Sequence, residues 1–290
     1  MQQQSDNELN QPESFLSKWN LDGLEYKKKY TPSLLITAIL FGAHISFGIL
    51  ESFGMLLTAI GASFITEAVL HRIIVGEWRN MSSAYISGIS VGILVRSPFM
   101  WPYALCAMIS IASKYVLRFR DQHLWNPSNF GIVAILVLAP GSVAGLSVQW
   151  GNNIWAMLVI WLIGSVSIWK LRRFHICGTY VASFFLFALL RSWLTGDPFF
   201  AEISPITGPM YQLFVFFMIT DPKTTVKSKK WQYVFAFCVA FAEFFFRLGE
   251  AVYAPFYALF FVGPIFLLVE MWWEGRKEES LRSEEAALAG

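Results

Sequence analysis

Apolar residues fall into ten runs along the chain: 33–50, 55–74, 83–95, 100–117, 130–148, 154–169, 176–194, 206–219, 231–246 and 251–273. Most approach the ~20 residues a helix needs to cross a ~30 Å hydrocarbon core. Two are shorter. The run at 83–95 stops at Arg96-Ser97-Pro98. The run at 206–219 enters through Thr207-Gly208-Pro209 and stops at Thr220-Asp221-Pro222. Short, Gly/Pro-interrupted segments in a membrane leave backbone groups free to line a cavity. The competing reading is a tilted helix with a proline-terminated end.

Lysine and arginine assign the sides of these runs. Lys27 to Lys29, Arg72, Arg79, Arg118, Arg120, Lys170, Arg172, Arg173, Lys223, Lys227, Lys229, Lys230, Arg276 and Lys277 all fall on one face when alternate ends are counted. Both termini are therefore expected in the cytoplasm. Ten runs divide five and five, and an odd-numbered repeat puts the second half upside down. The expected fold is an all-α integral membrane protein of about ten transmembrane helices in two five-helix inverted repeats. A hydrophilic cytoplasmic segment at 1–30 precedes membrane repeats at 31–150 and 151–273, and a charged cytoplasmic tail follows at 274–290. The third run of each half is its short one, so the two half-spanning segments are expected to meet near the midplane and build a central site.

Composition narrows the class further. Of 290 residues, 56% are hydrophobic, 17% aromatic and 14% charged, against about 25% charged in a soluble domain. The lipid bilayer is the expected partner. The net charge of +2 points to no polyanion, and no basic, aromatic-studded domain suggests nucleic acid. Cys106, Cys177 and Cys238 stand singly, without the C-x-x-C spacing of zinc or iron–sulfur sites, so no metal is expected. No basic n-region leads into an apolar h-region, which argues against a cleaved signal peptide.

Two motifs carry the candidate chemistry. Ser113-Lys114-Tyr115-Val116-Leu117-Arg118 is followed by His123-Leu124-Trp125-Asn126-Pro127-Ser128-Asn129-Phe130-Gly131, and the second short run ends in Met218-Ile219-Thr220-Asp221-Pro222-Lys223-Thr224-Thr225. Asn126 to Asn129 reads as a helix cap with Ser128 or Asn129 at the N-cap. Helix N-termini also hold anions, so Lys114, Arg118, Arg120, Asn126, Ser128 and Asn129 are candidates for a phosphate or ribityl group. Thr220 and Asp221 read either as a cation- or backbone-binding site or as an ordinary Asp/Pro turn. Ionisable residues inside spans are functional candidates by default, which singles out His44 and Glu67 for a substrate or ion pathway. Glu67 with His71, and Glu243 with Arg247, are spaced for i,i+4 pairs, whereas His44 has no such local partner.

Together these two motifs resemble the membrane-subunit family that includes RnfD and NqrB, of ion-pumping ferredoxin– and NADH–quinone oxidoreductases. The wording is closest to the UnbU-type members encoded in enediyne biosynthesis clusters. The resemblance spans about 32–273, and it implies a ten-helix, two-repeat fold in a bacterial inner (plasma) membrane. It also implies electron transport beside other membrane redox subunits. Family members attach FMN through a threonine in a Ser-Gly-Ala-Thr-like motif before the run ending in Thr-Asp-Pro. This chain departs from that pattern: the corresponding position is Met210 or Tyr211, depending on the direction of counting, and Thr207 lies in a different context. No covalent flavin is expected. The sequence therefore supports three functions: a redox subunit handling quinone or non-covalent FMN or riboflavin, with Thr207, Thr220 and Asp221 near it; a transporter or channel for a small solute or natural product; and a cofactor-less membrane scaffold.

Overall fold

The computed structural model describes residues 52–76, 81–120, 122–145 and 154–289, with Thr37, Leu40, Phe41 and His44 besides. The hydrophilic segment at 1–30 and most of the run at 33–50 lie outside the described residues.

The chain is mostly helical. Helix α1 (Phe53–Ile74) is capped by Ser52, whose hydroxyl accepts from the Gly54 N–H at 3.1 Å. Then come α2 (Ser82–Leu94), α3 (Trp101–Val116), α4 (Pro127–Leu138), α5 (Ile154–Leu171) and α6 (Phe174–Thr195). Gly196, at φ +83°, ends α6 in the left-handed region that glycine tolerates. The short α7 (Phe199–Ile203) and a 3₁₀ turn (Ser204–Thr207) lead into α8 (Pro209–Leu213), which continues as a π-helical turn over Phe214–Met218. Helices α9 (Lys229–Leu248) and α10 (Ala254–Ala289) complete the order.

Among the described residues, four helices are long and apolar enough to cross a membrane: α1, α6, α9 and the Ala254–Lys277 part of α10. Large apolar side chains such as Leu57, Ile65, Leu186, Trp193 and Ile265 point outward from these elements. So much exposed apolar surface suits lipid rather than water. The chain is accordingly an integral membrane protein. Both runs expected to be short are short. Helix α2 has 13 residues, and α8 and its π turn have 5 each, about 20 and 15 Å long at 1.5 Å per residue. The run expected at 130–148 ends as a helix at Leu138, where the chain turns so that β4 (Ala144–Gly145) can pair with β1 (Val95–Arg96). The expected polar loop after α3 is a tight hairpin, β2 (Arg118–Phe119) against β3 (Gln122–His123), turned through Arg120 at φ +46°.

Helices α1, α2, α3 and α4 pack as one group and α6, α9 and α10 as another, with α5 against α8 and α10 against α4. The first group closes on small residues, as membrane helices do where backbones must approach. A Cβ on Gly131 of α4 would lie 1.9 Å from Ser110 Oγ and 2.7 Å from the Cys106 carbonyl oxygen of α3. Gly131→Ala is expected to destabilise by about 2–3 kcal/mol through overpacking. Gly61→Ala, whose Cβ meets nothing within 4 Å, should be neutral or stabilising by up to about 1 kcal/mol. Thermal unfolding in detergent checks the pair, and equal effects would refute the close-packed α3–α4 seam.

Candidate functional site

The two short segments face each other. Between α2 and the α8–π segment lies a cleft of about 680 Å³, walled by Ser82, Ser83, Ser87, Ser90, Ile93 and Leu94 on one side and by Leu213, Phe217 and Met218 on the other. Its mouth is polar: Lys114, His123, Asn126, Ser128, Asp221 and Lys223 line it. Both sequence motifs therefore converge on one site, although they lie far apart in the chain.

Each mouth residue is placed by a local constraint. Asn126, not Ser128 or Asn129, is the N-cap of α4, because Pro127 fills the first helical position and has no N–H to satisfy. The Asn126 Oδ1 accepts from the Asn129 N–H at 3.1 Å, and its Nδ2 donates to Asp221 Oδ2 at 2.9 Å. Asp221 also accepts from the Lys223 N–H at 3.1 Å and the Thr224 hydroxyl at 3.2 Å. The Asp/Pro turn is thus present, and it also ties the N-terminus of α4 to the end of the π turn. Ser128 sits at the cleft wall. Asn129 is buried beside it, donating to the Phe256 carbonyl at 3.2 Å, while its Oδ1 has no hydrogen-bond partner among the described residues.

Lys114 enters from α3. Its Nζ donates to Ser83 Oγ at 3.1 Å and lies 3.8 Å from Glu67 Oε2. Glu67 of α1 is fully buried, and its Oε1 accepts from the Tyr115 hydroxyl at 2.9 Å. The expected direct Glu67–His71 pair is replaced: the Tyr115 hydroxyl lies between them, 3.4 Å from His71 Nδ1. The i,i+4 pair Glu243–Arg247 does form, at 2.9 Å.

Other candidates lie outside the cleft. Arg118 is exposed on the β2–β3 hairpin. Thr220 is buried and its hydroxyl donates back to the Phe216 carbonyl at 2.6 Å. Thr207 is exposed on the 3₁₀ turn, its hydroxyl donating to the Ser204 carbonyl at 2.6 Å. His44 meets Phe53 edge-on at 4.6 Å. At the counted positions of the flavin-bearing threonine, Met210 is buried, and the Tyr211 hydroxyl bonds to Glu243 and receives a bond from Arg247.

Sequence reasoning missed three parts of the cleft. The serines at 83, 87 and 90 repeat at helical spacing on one face of α2, a legible stripe. Lys223 stood in the motif but was not assigned a role. His123 entered only as the first residue of a motif, with no role of its own. Burial pushes the His123 imidazole below its ordinary value, and Arg118, Lys223 and Lys114 lower it further while Asp221 partly opposes them. A histidine whose folded-state pKa lies below its unfolded value of 6.5 binds fewer protons folded than unfolded. Its effect on stability is therefore absent above pH ~6.5 and destabilising as pH falls through and below it. The unfolding temperature should drop between pH 7.5 and 5.5, and His123→Gln should flatten that drop. An unchanged pH slope in the variant would show that His123 does not titrate in this environment.

No family model matches the chain, and no curated protein matches it either.

Proposed function

We propose that the chain is a ten-helix membrane protein of the RnfD/NqrB type, closest to its UnbU-like members, with inverted five-helix halves and cytoplasmic termini in a bacterial inner membrane. Its cleft takes a small amphipathic anion, a non-covalently held flavin such as FMN, in an electron-transport role beside partner redox subunits. The observation that carries this reading is the cleft between the two short helices, lined by Lys114, Lys223, Asp221 and other polar side chains together with apolar ones. Its volume lies within the range of about 300–1,000 Å³ of small-molecule sites. The residues fit the group: Lys114 and Lys223 suit a phosphate, the α2 serines a ribityl chain, and Phe217, Met218 and Leu94 a flat ring system. Bound flavin would supply one- and two-electron transfer. The repeat is supported by recurring order, since the second helix of each half packs on the fourth, and the fourth on the fifth (α1, α3, α4 and α6, α9, α10).

The test is the visible spectrum of detergent-purified protein incubated with FMN, before and after acid precipitation. Flavin that leaves with the supernatant supports the reading. Flavin retained in the pellet overturns its non-covalent character, and a colourless protein overturns the flavin itself. One observation favours transport as a second reading: the broken α8–π segment beside the cleft is the kind of interrupted helix that carries transporter sites. Solute flux in liposomes by a colourless protein would establish it. A cofactor-less scaffold is the weakest of the three, because a cleft of about 680 Å³ lies between the two short segments.

A further inference from the structure

A second concave site lies away from the cleft, where α5 ends and α6 and α9 begin. It encloses about 590 Å³ and is lined by Trp169, Lys170, Arg172, Phe174, His175 and Lys229. No carboxylate is among these residues. The geometry points to a binding site for the phosphate group of an anionic phospholipid in the cytoplasmic leaflet.

The cations are gathered by the fold rather than scattered along a loop. Arg172 takes φ +54°, and its N–H donates to the Trp169 carbonyl at 3.1 Å while the Arg173 N–H donates to the Ile168 carbonyl at 3.1 Å. This tight closure sets Lys170 and Arg172 beside the first turn of α6. His175 is oriented from α9. The Gln232 Nε2 donates to the Val226 carbonyl at 2.7 Å, which turns its Oε1 toward His175 Nε2 at 2.6 Å. That imidazole nitrogen therefore carries the proton, and α6 is tied to the first turn of α9, where Lys229 sits. Neighbouring cations are engaged elsewhere: Lys227 pairs with Glu274 at 3.6 Å, and Arg173 donates to the Thr220 carbonyl at 3.3 Å. Among the described residues, Lys170, Arg172 and Lys229 have no ion pair. Two helix N-termini add their partial positive charge, opposed by the one C-terminus of α5. Exposed Trp169 and Phe174 flank the pocket, as aromatic side chains do at headgroup level. The positive-inside bias explains cations on this face but not their convergence on one concavity. Basic pockets between cytoplasmic helix ends are the sites that take anionic headgroups.

The test measures lipid binding to the full chain in detergent by native mass spectrometry, with phosphatidylglycerol, phosphatidylcholine and inorganic phosphate as separate probes. Phosphatidylglycerol should bind well above phosphatidylcholine. The K170Q/R172Q/K229Q variant should lose roughly fivefold in affinity per cation removed, on the order of a hundredfold in all. The R276Q/K277Q variant, which removes two cations outside this pocket, should bind as the wild type does. Excess inorganic phosphate that fails to compete identifies a lipid headgroup; phosphate that binds alone, and only when the three cations are present, identifies a soluble phosphate. Should the triple variant not fold, K170Q alone should weaken binding about fivefold. Undiminished binding in the triple variant, or equal loss in R276Q/K277Q, overturns the site.

Discussion

Glu243→Ala is expected to cost about 3–5 kcal/mol of stability, the range for removing one partner of a buried ion pair. Glu243 is fully buried in α9, where it accepts from the hydroxyls of Tyr180 and Tyr211 and from Arg247 Nε at 2.9 Å. Arg247 is itself largely enclosed, with its guanidinium 5.6 Å from the Phe184 ring centroid and 5.3 Å from that of Tyr211. Without the carboxylate it faces aromatic rings and hydroxyls that compensate a charge poorly. Glu243→Ala combined with Arg247→Leu should regain much of the loss, because removing both charges leaves none to compensate. Tyr211→Phe should cost less, about 1.5–3 kcal/mol, because its hydroxyl donates to Glu243 and accepts from Arg247. Denaturant unfolding in mixed micelles would measure all three, and a Glu243→Ala loss under about 1 kcal/mol would show that this cluster does not hold α8 in place. The consequence reaches function, because α8 runs directly into the π turn that supplies Phe217 and Met218 to the cleft.

The helices were legible in the chain because long apolar runs bounded by basic residues have few alternatives in a membrane. α2 was expected at 83–95 and found at Ser82–Leu94, and α3 was expected at 100–117 and found at Trp101–Val116. Less legible was the internal break of the run at 206–219 into a 3₁₀ turn, an α turn and a π turn. Hydropathy is blind to which carbonyl an N–H chooses; that choice is fixed by packing against α5, where Gly164 abuts the Phe216 ring. In the candidate site, motif residues Lys114, Asn126, Ser128 and Asp221 do meet. Thr207, Thr220, Arg118 and Asn129 do not line the cleft, because hydroxyl back-bonding, a hairpin and a neighbouring carbonyl claim them. Those competitors are local or long-range hydrogen bonds that residue type alone cannot rank. The two buried glutamates show the same limit. A Glu–Tyr contact fastens α1 to α3 and another fastens α6 to α9, but the partners are exchanged: Glu67 on α1 with Tyr115 on α3, and Tyr180 on α6 with Glu243 on α9. Spacing suggested only the i,i+4 partners.

Lys114→Met is expected to cause two losses that a second substitution separates. The first is stability, again about 3–5 kcal/mol, because the ammonium group 3.8 Å from the fully buried Glu67 carboxylate is removed. The second is affinity, since the same ammonium group lines the cleft mouth opposite Asp221 and Lys223. Lys114→Met with Glu67→Leu removes both charges and should restore most of the stability. It should not restore binding: FMN affinity, read by quenching of flavin fluorescence, should stay at least about tenfold weaker, or 1.4 kcal/mol. Lys223→Met, on the exposed side of the mouth, should weaken FMN with little change in unfolding, since no buried carboxylate depends on it. If the Lys114→Met/Glu67→Leu protein binds FMN as the wild type does, the lysine serves the α1–α3 contact alone. The cleft would then have to hold its ligand through Lys223 and the α2 serines, a site better suited to a neutral solute than to a phosphate, and transport would become the stronger reading.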